Sequence, residues 1–154
     1  MKKISILIPC YNEEENVGPI SQAVVETMTR DLPEYDYELV FIDNDSTDQT
    51  RPILRELCRQ NPRIKAIFNA KNFGQFNSPY YGLLQVTGDC VISMVADFQD
   101  PVELIPQYVR EWETGGKVGV FFIGQPGLDY PAAVGHVISF HRWLTSFLCV
   151  VSSH

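Results

Sequence analysis

Asp97, Gln99 and Asp100 stand together at the end of the apolar run "CVISMVA", Cys90 to Ala96. Asp97 and Gln99 alternate about Phe98, so an extended backbone would point both side chains the same way. One carboxylate and one amide oxygen are hard ligands. They suit Mg2+ or Mn2+, which keep several waters and complete their shell with substrate phosphates. The same residues equally suit a plain turn. Asp100 precedes Pro101, with Glu103 three residues on, and that pattern reads as a helix start capped by Asp100. A second carboxylate, Asp43, ends "YELVFID" just before the oxygen-rich turn "NDSTDQT". An acid there can accept a hydrogen bond from an N–H of a pyrimidine or purine base, and the ring of Tyr11 can cover a base or ribose face. Asp45 and Ser46 favour turns, and Asp48 reads as a cap of the following helix. Lys71, in "KNFGQ", offers a cation to a diphosphate, and Gly74 lets the backbone approach a ligand closely.

These residues need strands to present them. "KISILIP" (Lys3 to Pro9), "YELVFID" (Tyr37 to Asp43), "IKAIFN" (Ile64 to Asn69), "CVISMVA" and "KVGVFFIG" (Lys117 to Gly124) read as five strands. Helical periodicity lies between them. Val17, Ile20, Val24 and Met28 share one stripe behind an Asn16 cap. Ile53, Leu54 and Leu57 mark a helix over Gln49 to Gln60. A third helix runs from the "KNFGQFN" loop to about Val86, and a fourth from Val102 to Thr114. Strand and helix alternating with short connections predicts an α/β fold with a mostly parallel sheet. Ligands bind such sheets beyond the carboxyl ends of the strands, and the polar clusters fall at those ends. After Gly124 a Pro/Gly-rich linker precedes "HVISFHRWLTSFLCVV", His136 to Val151, read as one amphipathic helix. It packs on a core or partner, or lies in a membrane interface; packing is the preferred reading. The expected division is 1–124 and 125–154.

Composition narrows the function. The chain has 154 residues, 45% hydrophobic and 20% charged, with a formal net charge of -7. That balance fits a globular domain and argues against nucleic acid as the partner. Cys10, Cys58, Cys90 and Cys149 form no CxxC pair and read as reduced, buried thiols of a cytoplasmic protein. "ISILIP" is too short for a signal segment, and no apolar run is long enough to span a membrane.

"ISILIPCYNEEENV", "ELVFIDNDSTDQT", "KNFGQ", "GLLQVTGD" and "ADFQDPVELIP" stand in the order and spacing of family 2 glycosyltransferases. The sequence most resembles the branch that transfers sugars to polyprenyl and dolichyl phosphates, over about Lys2 to Val120. The resemblance implies a GT-A fold. It implies a donor that is a UDP- or GDP-linked sugar, a lipid-phosphate or glycan acceptor at the cytoplasmic face of the membrane, and metal-assisted inverting transfer. On the residues, it implies that Pro9, Tyr11, Glu13, Asp43 and Asp97 bind the nucleotide, that Asp97 and Gln99 hold Mg2+ or Mn2+, and that Lys71 and Asp97 serve catalysis. Two departures stand out. Val95 occupies the position where the family motif opens with an acid, and the family turn D-D-G-S is here Asp43-Asn44-Asp45-Ser46. The alternative is a catalytically impaired nucleotide-sugar-binding module or a structural subunit. The three histidines, His136, His141 and His154, all lie in the C-terminal tail, so no His–carboxylate base is expected at the strand ends.

Overall fold

The computed structural model describes residues 1–114 and the strand Ile138–Ser139. Its strands are β1 (Lys3–Cys10), β2 (Asp36–Asp43), β3 (Ile64–Phe68), β4 (Cys90–Ser93) and β5 (Ile138–Ser139). Helices α1 (Val17–Asp31), α2 (Thr50–Gln60), α3 (Gly74–Gln85) and α4 (Ile105–Glu113) follow the first four strands in turn; a single 3-10 turn, Val102–Leu104, leads into α4. The sheet order is β3-β2-β1-β4-β5. The first four strands are parallel and β5 runs antiparallel to β4.

β1, β2 and β4 are buried on both faces, as parallel strands with helical crossovers must be, while β3 is fully buried only at Ile64 and leaves Lys65 exposed. Ile4, Ile6, Ile8 and Cys10 of β1 join Tyr37, Leu39 and Phe41 of β2 beneath α1, α2 and α4. The predicted α1 stripe, Val17, Ile20, Val24 and Met28, is buried against this face, with Leu54 of α2 and Ile105 and Val109 of α4. Leu7, Val40, Ile42 and Val91 face the other way and meet Leu83 of α3 and Val86. Gly82 is where α3 touches the sheet: a Cβ there would lie 2.9 Å from Leu7 Cδ1 and 3.2 Å from Ile42 Cγ2.

Register sets the height of each strand end. Cys10 pairs with Asp43, and Asp43 with Phe68, so β1, β2 and β3 finish flush. β4 stops earlier than its apolar sequence predicts, at Ser93 rather than Ala96. The cause lies in its neighbour. The Met94 N–H still reaches Leu7 O at 3.0 Å, but Pro9, two residues further along β1, has no N–H to continue the ladder. The chain therefore leaves the sheet, and the backbone around Phe98 is a turn rather than the expected extended strand.

At the amino-terminal edge, Glu38 is almost fully buried and saturated. It accepts hydrogen bonds from Lys3 Nζ (2.9 Å), Lys65 Nζ (2.6 Å), Ser5 Oγ (2.7 Å) and the Thr87 N–H (2.7 Å). Ile138 and Ser139, expected within a helix, instead pair with Val91 and Cys90. The strand predicted over 117–124, the linker, the division at 124, the remainder of the 136–151 segment, Cys149 and the histidines lie outside the described residues. Among the described residues, no helix is long and apolar enough to cross a membrane.

Candidate functional site

Four parallel strands bring the loops at 11–16, 44–49, 69–73 and 94–101 to one edge. Asp43 ends β2 and Asp97 follows β4, the two strands that flank β1, so they share that edge. The described non-glycine residues with positive φ are Asn12 (55°), Asp45 (70°) and Phe98 (61°), and all three stand here. Asn and Asp tolerate left-handed backbone at little cost, whereas at Phe98 it costs about 1–2 kcal/mol and persists because its surroundings over-determine it.

The first two loops are stitched to each other, side chain to backbone. Asn12 N–H donates to Ser46 Oγ (2.9 Å), and Asn12 Oδ1 accepts from the Thr47 N–H (2.9 Å). The Glu13 N–H donates to Thr50 Oγ1 (2.8 Å), and Glu14 Oε2 accepts from the Gln49 N–H (2.8 Å). Asp48, predicted to cap α2, accepts the amide of Thr50, the first residue of that helix, and also the Glu14 N–H. Burial raises its pKa, but the bonds from Thr50 and Glu14 outweigh that and lower it overall. Pro9 is a strand residue paired with Ile42. The Glu13 carboxylate accepts from Asn16 Nδ2 (2.7 Å), and its carbonyl starts α1. Glu13 thus serves the loop with both groups. Tyr11 is about half exposed and free to stack.

Asp43 is the most constrained acid of the rim, with no exposed surface. Its Oδ2 accepts from Arg51 Nε at 2.5 Å and from the Ser46 N–H at 3.3 Å. Its Oδ1 is buried with no partner. Arg51 was not among the residues the sequence singled out. Its signal was nonetheless present: it is the lone cation between Asp43 and Leu54, after three acids. Next to Asp43, Asn44 organises the loop that carries Lys71. Asn44 Nδ2 donates to Asn72 Oδ1 (2.9 Å) and Gly74 O (3.3 Å), while its Oδ1 accepts from the Phe73 N–H (2.9 Å) and Asn69 Nδ2 (3.2 Å). A carboxylate could not make the two donations, which gives a structural reason for an amide where the family turn has an acid. Lys71 is exposed, its ammonium 5.2 Å from the centre of the Phe73 ring.

In the loop after β4, Asp97 and Gln99 do meet, although through a turn. The Gln99 N–H donates to Asp97 Oδ1 (3.2 Å), and Gln99 Nε2 lies 2.5 Å from Asp97 Oδ2. A half-turn of the Gln99 amide would set two oxygens side by side toward solvent. That donor set fits Mg2+ or Mn2+ when water and a diphosphate supply the other ligands. Among the described residues, no group of three His, Cys, Asp or Glu side chains assembles a cage that would hold an ion without such help.

Asp100 is not the predicted cap. The 3-10 turn after it has Pro101 at its start and no side-chain cap. Asp100 instead folds back, accepting the Val95 N–H at Oδ2 (3.0 Å) and closing the loop, while its Oδ1 is buried without a partner. Burial raises its pKa; the Val95 amide opposes this, and nearby Asp97 adds to it. Cys10, Cys58 and Cys90 are free thiols; Cys10 and Cys90 are buried as expected, while Cys58, also expected buried, is only partly so. Burial, then Asp89, pushes Cys90 up to about 12, and burial, then Asp43, also raises Cys10, which keeps both thiols protonated near neutral pH.

Comparison with known proteins places this arrangement. The sequence profile of "Glycosyl transferase family 2" matches residues 5–139. The bactoprenol glucosyl transferase of Shigella phage SfX is 37% identical over 116 residues, 75% of this chain and 37% of that protein. The undecaprenyl-phosphate 4-deoxy-4-formamido-L-arabinose transferase of Photorhabdus laumondii is 36% identical over 119 residues, 77% of this chain and 36% of that one. The chain thus spans little more than a third of the length of the curated relatives it matches. Solved structures share its fold. The mannosyltransferase from Pyrobaculum calidifontis in complex with GDP-Man and Mn2+ gives a TM-score of 0.65 at 23% identity, over 77% of this chain and 34% of that one. S. aureus TarS in complex with UDP-GlcNAc gives 0.61 at 24% identity, over 84% and 37%. The fold is that of the GT-A glycosyltransferases, and the chain belongs to glycosyl transferase family 2.

Proposed function

We propose that the rim binds a nucleoside-diphosphate sugar and that the protein transfers the sugar to a polyprenyl phosphate. The observation that carries this reading is the convergence of four loops on one edge, with the buried Asp43 holding an unpartnered acceptor oxygen on the same side as the exposed Asp97 and Gln99. A buried carboxylate oxygen without a partner is costly, and a base N–H is the group that satisfies it. The relatives' names supply the acceptor class, since they include transferases of bactoprenol and undecaprenyl phosphate.

The roles follow from chemistry and position. Asp43 takes the base, with Tyr11 across its face and Pro9 and Glu13 shaping the loop beneath. Asp97 and Gln99 would hold Mg2+ or Mn2+, which supplies positive charge to the departing diphosphate. Lys71 swings from the Phe73 ring to a phosphate oxygen and adds to that charge. A phosphate acceptor is ionised near neutral pH, so it attacks the anomeric carbon without a protein base, and direct displacement inverts that centre. This chemistry belongs at the cytoplasmic face of a membrane, where an apolar segment such as 136–151 could make peripheral contact. Val95, in place of the family's acid, favours a second reading: a module that binds the donor without turnover.

One experiment separates them. UDP- and GDP-sugars should raise the melting temperature, more so with Mn2+ than with EDTA, and labelled sugar should move to a polyprenyl phosphate. Asp97→Ala should remove the metal-dependent part of the stabilisation and leave the metal-free part. Retained metal dependence in that variant would refute the ligand assignment; binding without transfer in the wild type would leave the binding module.

A further inference from the structure

We propose that Arg51 is the positioning residue for base recognition, a role that rests on the nucleotide-sugar reading above. The guanidinium lies along the strand ends as a clamp. Its Nε donates to Asp43 Oδ2 at 2.5 Å, its Nη2 donates to the Asn69 carbonyl, and Nη2 lies 3.4 Å from Asp45 Oδ1. Its Cζ is 5.7 Å from the centre of the Phe68 ring. Nε and Nη2 form one edge of a rigid fork, so a single planar group joins the end of β2 to the residue just past β3.

The consequence for Asp43 is geometric. Arg51 and the Ser46 amide occupy Oδ2, while Oδ1 accepts nothing. The carboxylate therefore cannot rotate to offer either oxygen at will. It presents one acceptor in a fixed place, which matches a single ring N–H, as on a pyrimidine or a guanine. Asn69 extends the clamp. Its Nδ2 donates to Asn44 Oδ1, the same oxygen that receives the Phe73 N–H. Arg51 thus holds the backbone of Asn69, whose side chain buttresses the Asn44 next to Asp43.

Lysine keeps the charge but cannot hold Asp43 and the Asn69 carbonyl along one planar edge. Glutamine removes the charge and serves as the second variant, both being checked by thermal melting. Titration calorimetry of the full protein with Mn2+ should use UDP, GDP and inorganic pyrophosphate. In Arg51→Lys the preferred nucleotide should bind about tenfold more weakly or worse, as befits a misplaced hydrogen bond to a charged group. Pyrophosphate affinity should stay within about twofold, and in transfer assays KM for the donor should rise more than kcat falls. A general loosening of the fold would weaken nucleotide and pyrophosphate alike. Equal loss for both, or an unchanged nucleotide affinity in folded Lys and Gln variants, overturns the positioning role. A wild type that binds neither nucleotide better than pyrophosphate overturns the parent reading and this one with it.

Discussion

Glu38 is the group whose removal should cost the fold most visibly. It is 2% exposed, yet it accepts from two ammonium groups, a hydroxyl and a backbone amide, with Thr87 Oγ1 as a further donor at 3.1 Å. Burial alone would raise its pKa. The bonds from Lys65, Ser5, the Thr87 amide and Lys3 more than offset this and bring it from 4.5 down to about 2. At 1.36 kcal/mol per unit, a depression of this size corresponds to roughly 3 kcal/mol of stability at neutral pH. The folded value lies below the unfolded one. The contribution is therefore complete above pH 4.5 and declines as pH falls toward 2. Glu38→Gln keeps the shape but turns an amide toward Lys3 and Lys65. Urea unfolding of both proteins at pH 7, 4.5, 3 and 2 measures the difference, in which the other titrating groups cancel. The gap should be roughly 3 kcal/mol at pH 7 and close steadily through the acid range. A gap that is constant, or that widens toward acid, would show that the Lys–Glu–Lys cluster does not stabilise the fold in the way its geometry implies.

Two further substitutions test the packing and the site. In Gly88→Ala the new Cβ would stand 2.5 Å from Ser5 Oγ, 2.7 Å from Ser5 N and 2.9 Å from Lys3 O. Two of those atoms are backbone and cannot turn aside, so destabilisation of about 2 kcal/mol or more is expected in chemical unfolding; a native-like unfolding curve would count against the close approach of this loop to β1. Asn44→Asp restores the family's acid but sets a carboxylate against Gly74 O and Asn72 Oδ1. It should cost about 1–3 kcal/mol and speed hydrogen exchange at the Phe73 and Gly74 amides, whereas unchanged protection there would dismiss Asn44 as the organiser of the Lys71 loop.

Most of the scaffold could be read from local pattern. The apolar runs that became β1, β2 and β3, and the stripe Val17, Ile20, Val24, Met28, each carry their own periodicity, and parallel connection then puts every strand end on one edge. What escaped was information held by another part of the chain. β4 ends at Ser93 because Pro9 of a neighbouring strand lacks an N–H, and nothing in "CVISMVA" records that. Asp100 has the sequence context of a cap, but the turn at Phe98 carries it back to the Val95 amide. Ile138 and Ser139 fall within a stretch of helical periodicity, yet they pair with β4. Arg51 reaches eight residues back to Asp43 and eighteen forward to Asn69, a reach that only the folded sheet defines.

The two ends of the sheet treat buried acids differently, and the difference bears on function. At the amino-terminal edge both oxygens of Glu38 are bonded. At the carboxyl edge lie the described buried side-chain atoms without a partner, Asp43 Oδ1 and Asp100 Oδ1. Each such atom costs about 1–3 kcal/mol, and the same fold evidently can saturate an acid when stability alone is at stake. The backbone at this edge also holds the described left-handed non-glycine residues, Asn12, Asp45 and, at real conformational cost, Phe98. Two independent kinds of cost, one polar and one conformational, thus fall on the same loops. Loops under no shared demand would carry such costs independently of one another. Their concentration beyond the ends of β1, β2 and β4 is what a rim arranged for a ligand requires: acceptors held ready in fixed positions, with the surrounding hydrogen bonds supplying the rigidity that keeps them there.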